Sequence, residues 1–143
     1  MHEHPTALDR ALAITGTLFA WLPILFTVFI SVVFFVQTGQ LRIDPLMPAE
    51  MFLGYLGGAA LLLVPAIGLK VQRRELVGSI LVAFAGLAGA QGLAMLLGLA
   101  SGDQPAEGWR MILVTTLLVV YTVAVVSTGI VGLRIARHTL KRT

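Results

Sequence analysis

Residues 51–100 read MFLGYLGGAALLLVPAIGLKVQRRELVGSILVAFAGLAGAQGLAMLLGLA. A short basic turn, Lys70-Val71-Gln72-Arg73-Arg74-Glu75, divides this stretch into two apolar segments. The first, Met51–Leu69, carries Gly54, Gly57, Gly58, Ala59, Ala60 and Gly68; the second, Leu76–Ala100, is richer still in Gly and Ala. At about 1.5 Å per residue, either segment as a helix crosses a hydrocarbon core of roughly 30 Å. The turn is long enough only to reverse direction, so the expectation is two antiparallel membrane helices in contact.

Outward from this hairpin the pattern repeats. From Ala11 to Val36 no residue is charged. That run is too long for the apolar region of a signal peptide and no small-residue cleavage site follows it, so it reads as a retained transmembrane helix. Thr6 and Asp9 have the spacing of a capping box at its start, and Pro23 should bend it or loosen one turn. Asp44-Pro45 marks a turn in the following loop, and Pro48 with Glu50 suits the start of helix 2, which holds a second interior proline, Pro65. Gly102 is the expected stop of helix 3. Pro105 and Glu107 suit the start of helix 4, which is uncharged from Met111 to Leu133. The fold class is therefore all-α. The chain, residues 1–143, is read as a single transmembrane domain, a four-helix bundle with helices near 7–37, 48–70, 75–100 and 106–138.

Composition agrees. The chain is 57% hydrophobic and 12% charged, against about a quarter charged in soluble domains. Its mean hydropathy is +0.92. The net charge of +3 follows topology rather than nucleic acid, because the basic residues cluster at the ends of apolar segments. Arg10, Lys70, Arg73, Arg74, Arg134, Arg137, Lys141 and Arg142 share one set of ends, with only Arg42 and Arg110 at the other. The positive-inside rule then places both termini and the 70–75 turn in the cytoplasm, in the plasma or inner membrane of a prokaryote. Trp109, Tyr55 and Phe52 fall near the opposite interface, where aromatic anchors sit.

Close packing in lipid favours small residues, since burying apolar surface gains little against lipid tails. On helix 3, Ser79, Ala83, Gly86 and Ala90 share one region, with Gly78, Ala85, Gly89 and Gly92 beside it. This broad small surface predicts a central helix 3 flanked by helices 2 and 4. Helix 2 offers Gly54-xxx-Gly58, and Gly129 and Gly132 read as packing positions on helix 4. The remaining stripe of helix 3 is Ile80, Phe84, Leu87, Gln91 and Met95, a candidate partner-contact surface. Gln91 is its polar member near mid-helix, where an unpaired amide is costly; a hydroxyl within the chain or a neighbouring subunit would satisfy it. On helix 1, Thr17, Thr27, Ser31 and Thr38 lie within an arc of about 80°. They form a candidate polar path, although such hydroxyls more often bond the carbonyl four residues back.

The absences carry as much. No Asp, Glu, Lys, Arg or His lies inside a span, so the ionisable group of a proton-coupled transporter is missing, as is an axial histidine for haem. There are no cysteines for disulfides or thiol redox chemistry. His2, His4 and His138 lie in the terminal regions, and His2 with His4 makes only a weak metal pair on a solvated tail. No cofactor, metal site or nucleic-acid partner is expected. Arg42, Asp44, Glu50, Asp103, Glu107 and Arg110 share one side and can form loop-tying ion pairs. The function expected is a non-catalytic small membrane protein, an accessory or structural subunit whose partners are membrane lipid, other membrane subunits or a second copy. The alternatives are a small oligomeric channel or carrier, or a lipid- or quinone-binding protein.

Overall fold

The computed structural model describes residues 6–39, 49–99 and 108–141. Four α-helices make up nearly all of these: α1 (Ala7–Thr38), α2 (Ala49–Gly68), α3 (Arg73–Leu96) and α4 (Trp109–Lys141). Each is long and apolar enough to cross a membrane, as in a multi-pass membrane protein. Relative to the sequence expectation, α3 begins two residues earlier and ends at Leu96 rather than 100, and α4 runs on to Lys141 rather than 138.

Local chemistry sets several of these ends. Thr6 and Asp9 form the full capping box: the Asp9 N–H donates to Thr6 Oγ1 at 3.2 Å and the Thr6 N–H donates to Asp9 Oδ2 at 2.9 Å. Two of the orphan donors at the helix start are thereby satisfied. Gly98 ends α3 in the left-handed region (φ 70), where glycine carries no Cβ penalty. The Gly98 N–H donates to Met95 O at 3.2 Å and the Leu99 N–H to Ala94 O at 2.9 Å, the Schellman pair of bonds. The stop therefore precedes Gly102, which lies outside the described residues.

The helices do not pack in the order expected. α1 lies between α2 and α4 and packs closely on both, while α3 packs on α4. α2 touches α3 and α4 only lightly, and α1 and α3 do not meet among the described residues. Helix 3 is thus peripheral, and α1 with α4 forms the centre. The cause is a backbone crossing that the hairpin reading did not include. A Cβ on Gly16 would lie 2.9 Å from Gly58 O, and one on Gly58 would lie 2.8 Å from Ala20 N. Gly58 is therefore committed to α1 rather than α3. On α1 the buried residues Ala13, Gly16, Thr17, Ala20 and Pro23 recur at helical spacing, a nearly continuous stripe of small side chains.

The α4 glycines turn the same way. A Cβ on Gly132 would meet Thr17 Oγ1 at 2.9 Å, and one on Gly129 would meet the Trp21 indole at 2.8 Å. Two buried clusters result. One, toward the end where α1 begins and α4 ends, holds Leu62, Leu76, Val131 and Ile135 among alanines. The other holds Tyr55, Ala83, Tyr121, Ala124 and Val125. Beyond Pro23 on α1, and before Tyr121 on α4, no residue is buried.

Candidate functional site

In the bundle interior three hydroxyls from three helices form a chain, while the buried Thr17 and Thr139 bond within their own helices. Tyr55 on α2 is fully buried, and its OH lies 2.9 Å from Thr128 Oγ1 on α4. Thr128 in turn lies 2.9 Å from Ser79 Oγ on α3 and 3.0 Å from Ala124 O. Ser79 donates to Leu76 O at 2.9 Å. The Ser79 proton goes to Leu76 O, and the single Thr128 proton is shared between Ser79 Oγ and Ala124 O, so Thr128 Oγ1 is left to accept from Tyr55. Aligned donors of this kind polarise one another and strengthen each bond in a low-dielectric interior.

Tyr55 is consequently not an interface anchor. It is held inward because its hydroxyl finds a buried partner on α4, while its ring stacks on Phe52 with centroids 6.0 Å apart. Phe52 also contacts the rings of Phe84, at 6.1 Å, and Tyr121, at 6.3 Å, so the four aromatics bridge α2 to the closely packed α3–α4 pair, from which its backbone stands apart. Tyr121 OH and Trp21 Nε1 are buried and have no hydrogen-bond partner among the described residues. Trp109 is exposed at the start of α4, with the Arg110 guanidinium 5.9 Å from its ring centroid.

Between α3 and α4 a groove of about 300 Å³ opens on the outer face. Gly78, Ser79 and Val82 line one wall, and Val119, Val120, Val123, Ala124 and Ser127 line the other. Ser79 belongs both to this wall and to the hydroxyl chain. Ser127 donates to Val123 O at 2.8 Å. A second concavity of about 310 Å³, lined by Met111, Ile112, Thr115, Thr116 and Val119, adjoins it through Val119.

The residues singled out in the sequence take separate places. On α1, Thr17 donates to Ala13 O, Thr27 to Pro23 O and Thr38 to Phe34 O, each the carbonyl four residues back. Thr17 is buried against Gly132, Thr27 and Ser31 are half-buried, and Thr38 is exposed. On α3, Ile80 packs on one buried cluster and Leu87 on the other, Phe84 and Met95 are exposed, and Gln91 is half-buried. Gly86 meets Tyr121 and Leu117 across the α3–α4 contact, whereas a Cβ on Gly54, Gly57, Gly78 or Gly92 would meet nothing within 4 Å. His2, His4, Arg42, Asp44, Asp103 and Glu107 lie outside the described residues, as does the side chain of Glu50.

Chemically, this interior offers hydrogen bonds and apolar surface, and no charge. Among the described residues no three His, Cys, Asp or Glu side chains gather where a metal ion could be held. The described ion pair, Glu75 with Arg134 at 3.6 Å, joins two side chains that are more than half exposed. The hydroxyl chain has no signature in the sequence, because Tyr55, Ser79 and Thr128 are far apart along it. The available signal is that Ser79 and Thr128 are the polar members of otherwise small faces, with Ala83 and Gly86 on one and Ala124 and Gly132 on the other. No known protein family, characterised protein or solved structure matches the chain.

Proposed function

We propose that the protein is a non-catalytic integral membrane subunit that works by lateral association with other membrane proteins, its termini and 70–75 turn on the cytoplasmic side. The observation that carries this reading is the set of glycines that pack on nothing. Gly54 and Gly57 on α2, and Gly78 and Gly92 on α3, have open space where a Cβ would stand. A glycine within a helix is costlier than alanine by roughly 1 kcal/mol, and small residues in membrane helices serve to let another helix approach. Among the described residues these four let nothing approach. Phe84 and Met95, on the remaining stripe of α3, are exposed as well. The Lys and Arg distribution supports the orientation.

A conducting path has less support, because the α1 hydroxyls Thr17, Thr27 and Thr38 already donate to their own helix carbonyls. The reading is tested by native mass spectrometry of the protein extracted from its own membrane in mild detergent. A stoichiometric complex is expected, retained by the wild-type chain and lost in Gly57→Leu and Gly92→Leu variants that remain folded. A lone monomer, or a complex indifferent to both substitutions, overturns it.

A further inference from the structure

We infer that the α3–α4 groove is a binding site for a neutral lipid alcohol: a membrane-soluble molecule with one long aliphatic or isoprenoid chain and a hydroxyl head. The inference shares Gly78 with the subunit proposal but rests otherwise on the groove's serines and its α4 wall, and its test reads lipid labelling rather than complex formation, so either can fail alone. The surroundings supply the first half of the argument. Four spanning helices put this groove in contact with lipid, and its walls are valine, glycine and alanine except at one end. At about 300 Å³ it lies at the small end of ligand pockets, sized for one chain rather than two. Through Val119 it continues into the second concavity, so that the run from Ser127 to Met111 on α4 follows about 24 Å of helix.

The hydroxyl inventory supplies the head group. Ser127 directs its proton to Val123 O, and Ser79 directs its proton to Leu76 O while accepting from Thr128. What the two serines leave open toward the groove is therefore oxygen lone pairs. A ligand that donates a hydrogen bond matches them, whereas one that can only accept would have to break a serine–carbonyl bond in a low-dielectric setting. No cation lines the groove, so an anionic head would enter without a counter-charge at high desolvation cost. A hydroxyl satisfies both conditions. The buried chain from Tyr55 through Thr128 holds Ser79 in this accepting state.

The test is photolabelling of the full-length protein in phosphatidylcholine vesicles with a diazirine-bearing hexadecanol. Labelling is expected to concentrate on peptides containing residues 78–82 and 119–127. Unlabelled hexadecanol should compete about fivefold better than its methyl ether, the ratio that one net hydrogen bond of about 1 kcal/mol supplies. Gly78→Leu fills the groove from a position where an added Cβ meets nothing, so it should abolish the concentrated labelling while leaving the fold intact. Ser127→Ala removes a hydroxyl bonded only to its own helix and should lower the alcohol-to-ether ratio, leaving Ser79 as the remaining acceptor. Label spread evenly over all lipid-exposed helix faces, labelling undiminished by Gly78→Leu, or equal competition by the ether in the wild type would each overturn the inference.

Discussion

Alanine at Gly58 and alanine at Gly57 should have opposite consequences, although the residues are adjacent on one glycine-rich helix. A Cβ at position 58 would stand 2.8 Å from Ala20 N, 2.8 Å from Phe19 Cβ and 2.9 Å from Gly16 O. Non-bonded heavy atoms prefer about 3.5–4.0 Å, so α1 and α2 must separate by several tenths of an ångström along their crossing. Two of the three obstacles are backbone atoms, which no rotamer change can move. Overpacking of this kind costs about 1–3 kcal/mol. Both substitutions gain the same helix propensity, about 1 kcal/mol, and at position 57 nothing opposes it. The difference between the variants therefore isolates the packing cost, about 2 kcal/mol, or roughly thirtyfold in the unfolding equilibrium. Unfolding by SDS in mixed micelles, followed by far-UV circular dichroism, measures it. Gly16→Ala should resemble Gly58→Ala, and the double variant should cost less than the sum, because both Cβ atoms relieve themselves by the same helix separation. Equal stability of the 57 and 58 variants would refute the α1–α2 crossing and return helix 2 to a pairing with helix 3.

Three further outcomes follow from the interior and the turn. Thr128→Val leaves the Tyr55 hydroxyl buried without an acceptor and should cost about 1–3 kcal/mol, with a Tyr55→Phe cycle giving a coupling near 1 kcal/mol; no coupling in mixed-micelle unfolding would sink the hydroxyl chain. Tyr121→Phe removes a buried hydroxyl that has no partner, so it should be neutral or stabilising by up to about 1 kcal/mol in the same assay. Gln72 sits at φ 51 with a buried, unpartnered Oε1, and Gln72→Gly should raise stability by about 1 kcal/mol as left-handed strain outweighs the entropy of glycine; a loss would show that the side chain has a stabilising role in the turn.

Fold class and helix spans were legible because they depend on quantities the chain displays directly: runs without charge from Ala11 to Val36 and Met111 to Leu133, prolines near helix starts, and the Thr6–Asp9 cap. Helix pairing depends on which face of each helix is covered, and in lipid the hydrophobic pattern does not mark that face. A lipid-exposed valine and a buried one look alike in sequence, so only the small residues carry information, and they carry it ambiguously. On α3 the small surface spans more than half the helix, yet Ala83, Gly86 and Ala90 are buried against the bundle while Gly78 and Ala85 are exposed. On α2 the spacing Gly54-xxx-Gly58 suggests one seam, yet only Gly58 meets another helix. Gly16 decides the crossing, and its small stripe with Ala13, Thr17 and Ala20 shows that a backbone can approach there but not that the partner is Gly58. Tyr55 was misplaced for a related reason. Near the start of a span, a tyrosine serves equally as an interface anchor or as an inward hydrogen-bonding group, and the choice belongs to Thr128, 73 positions away. Small residues thus show where backbones can approach and polar residues show what must be satisfied, but each states half of a contact. The other half lies on a helix that the sequence does not name, and for the glycines of α2 and α3 that remain open here the proposal is that this helix belongs to another chain.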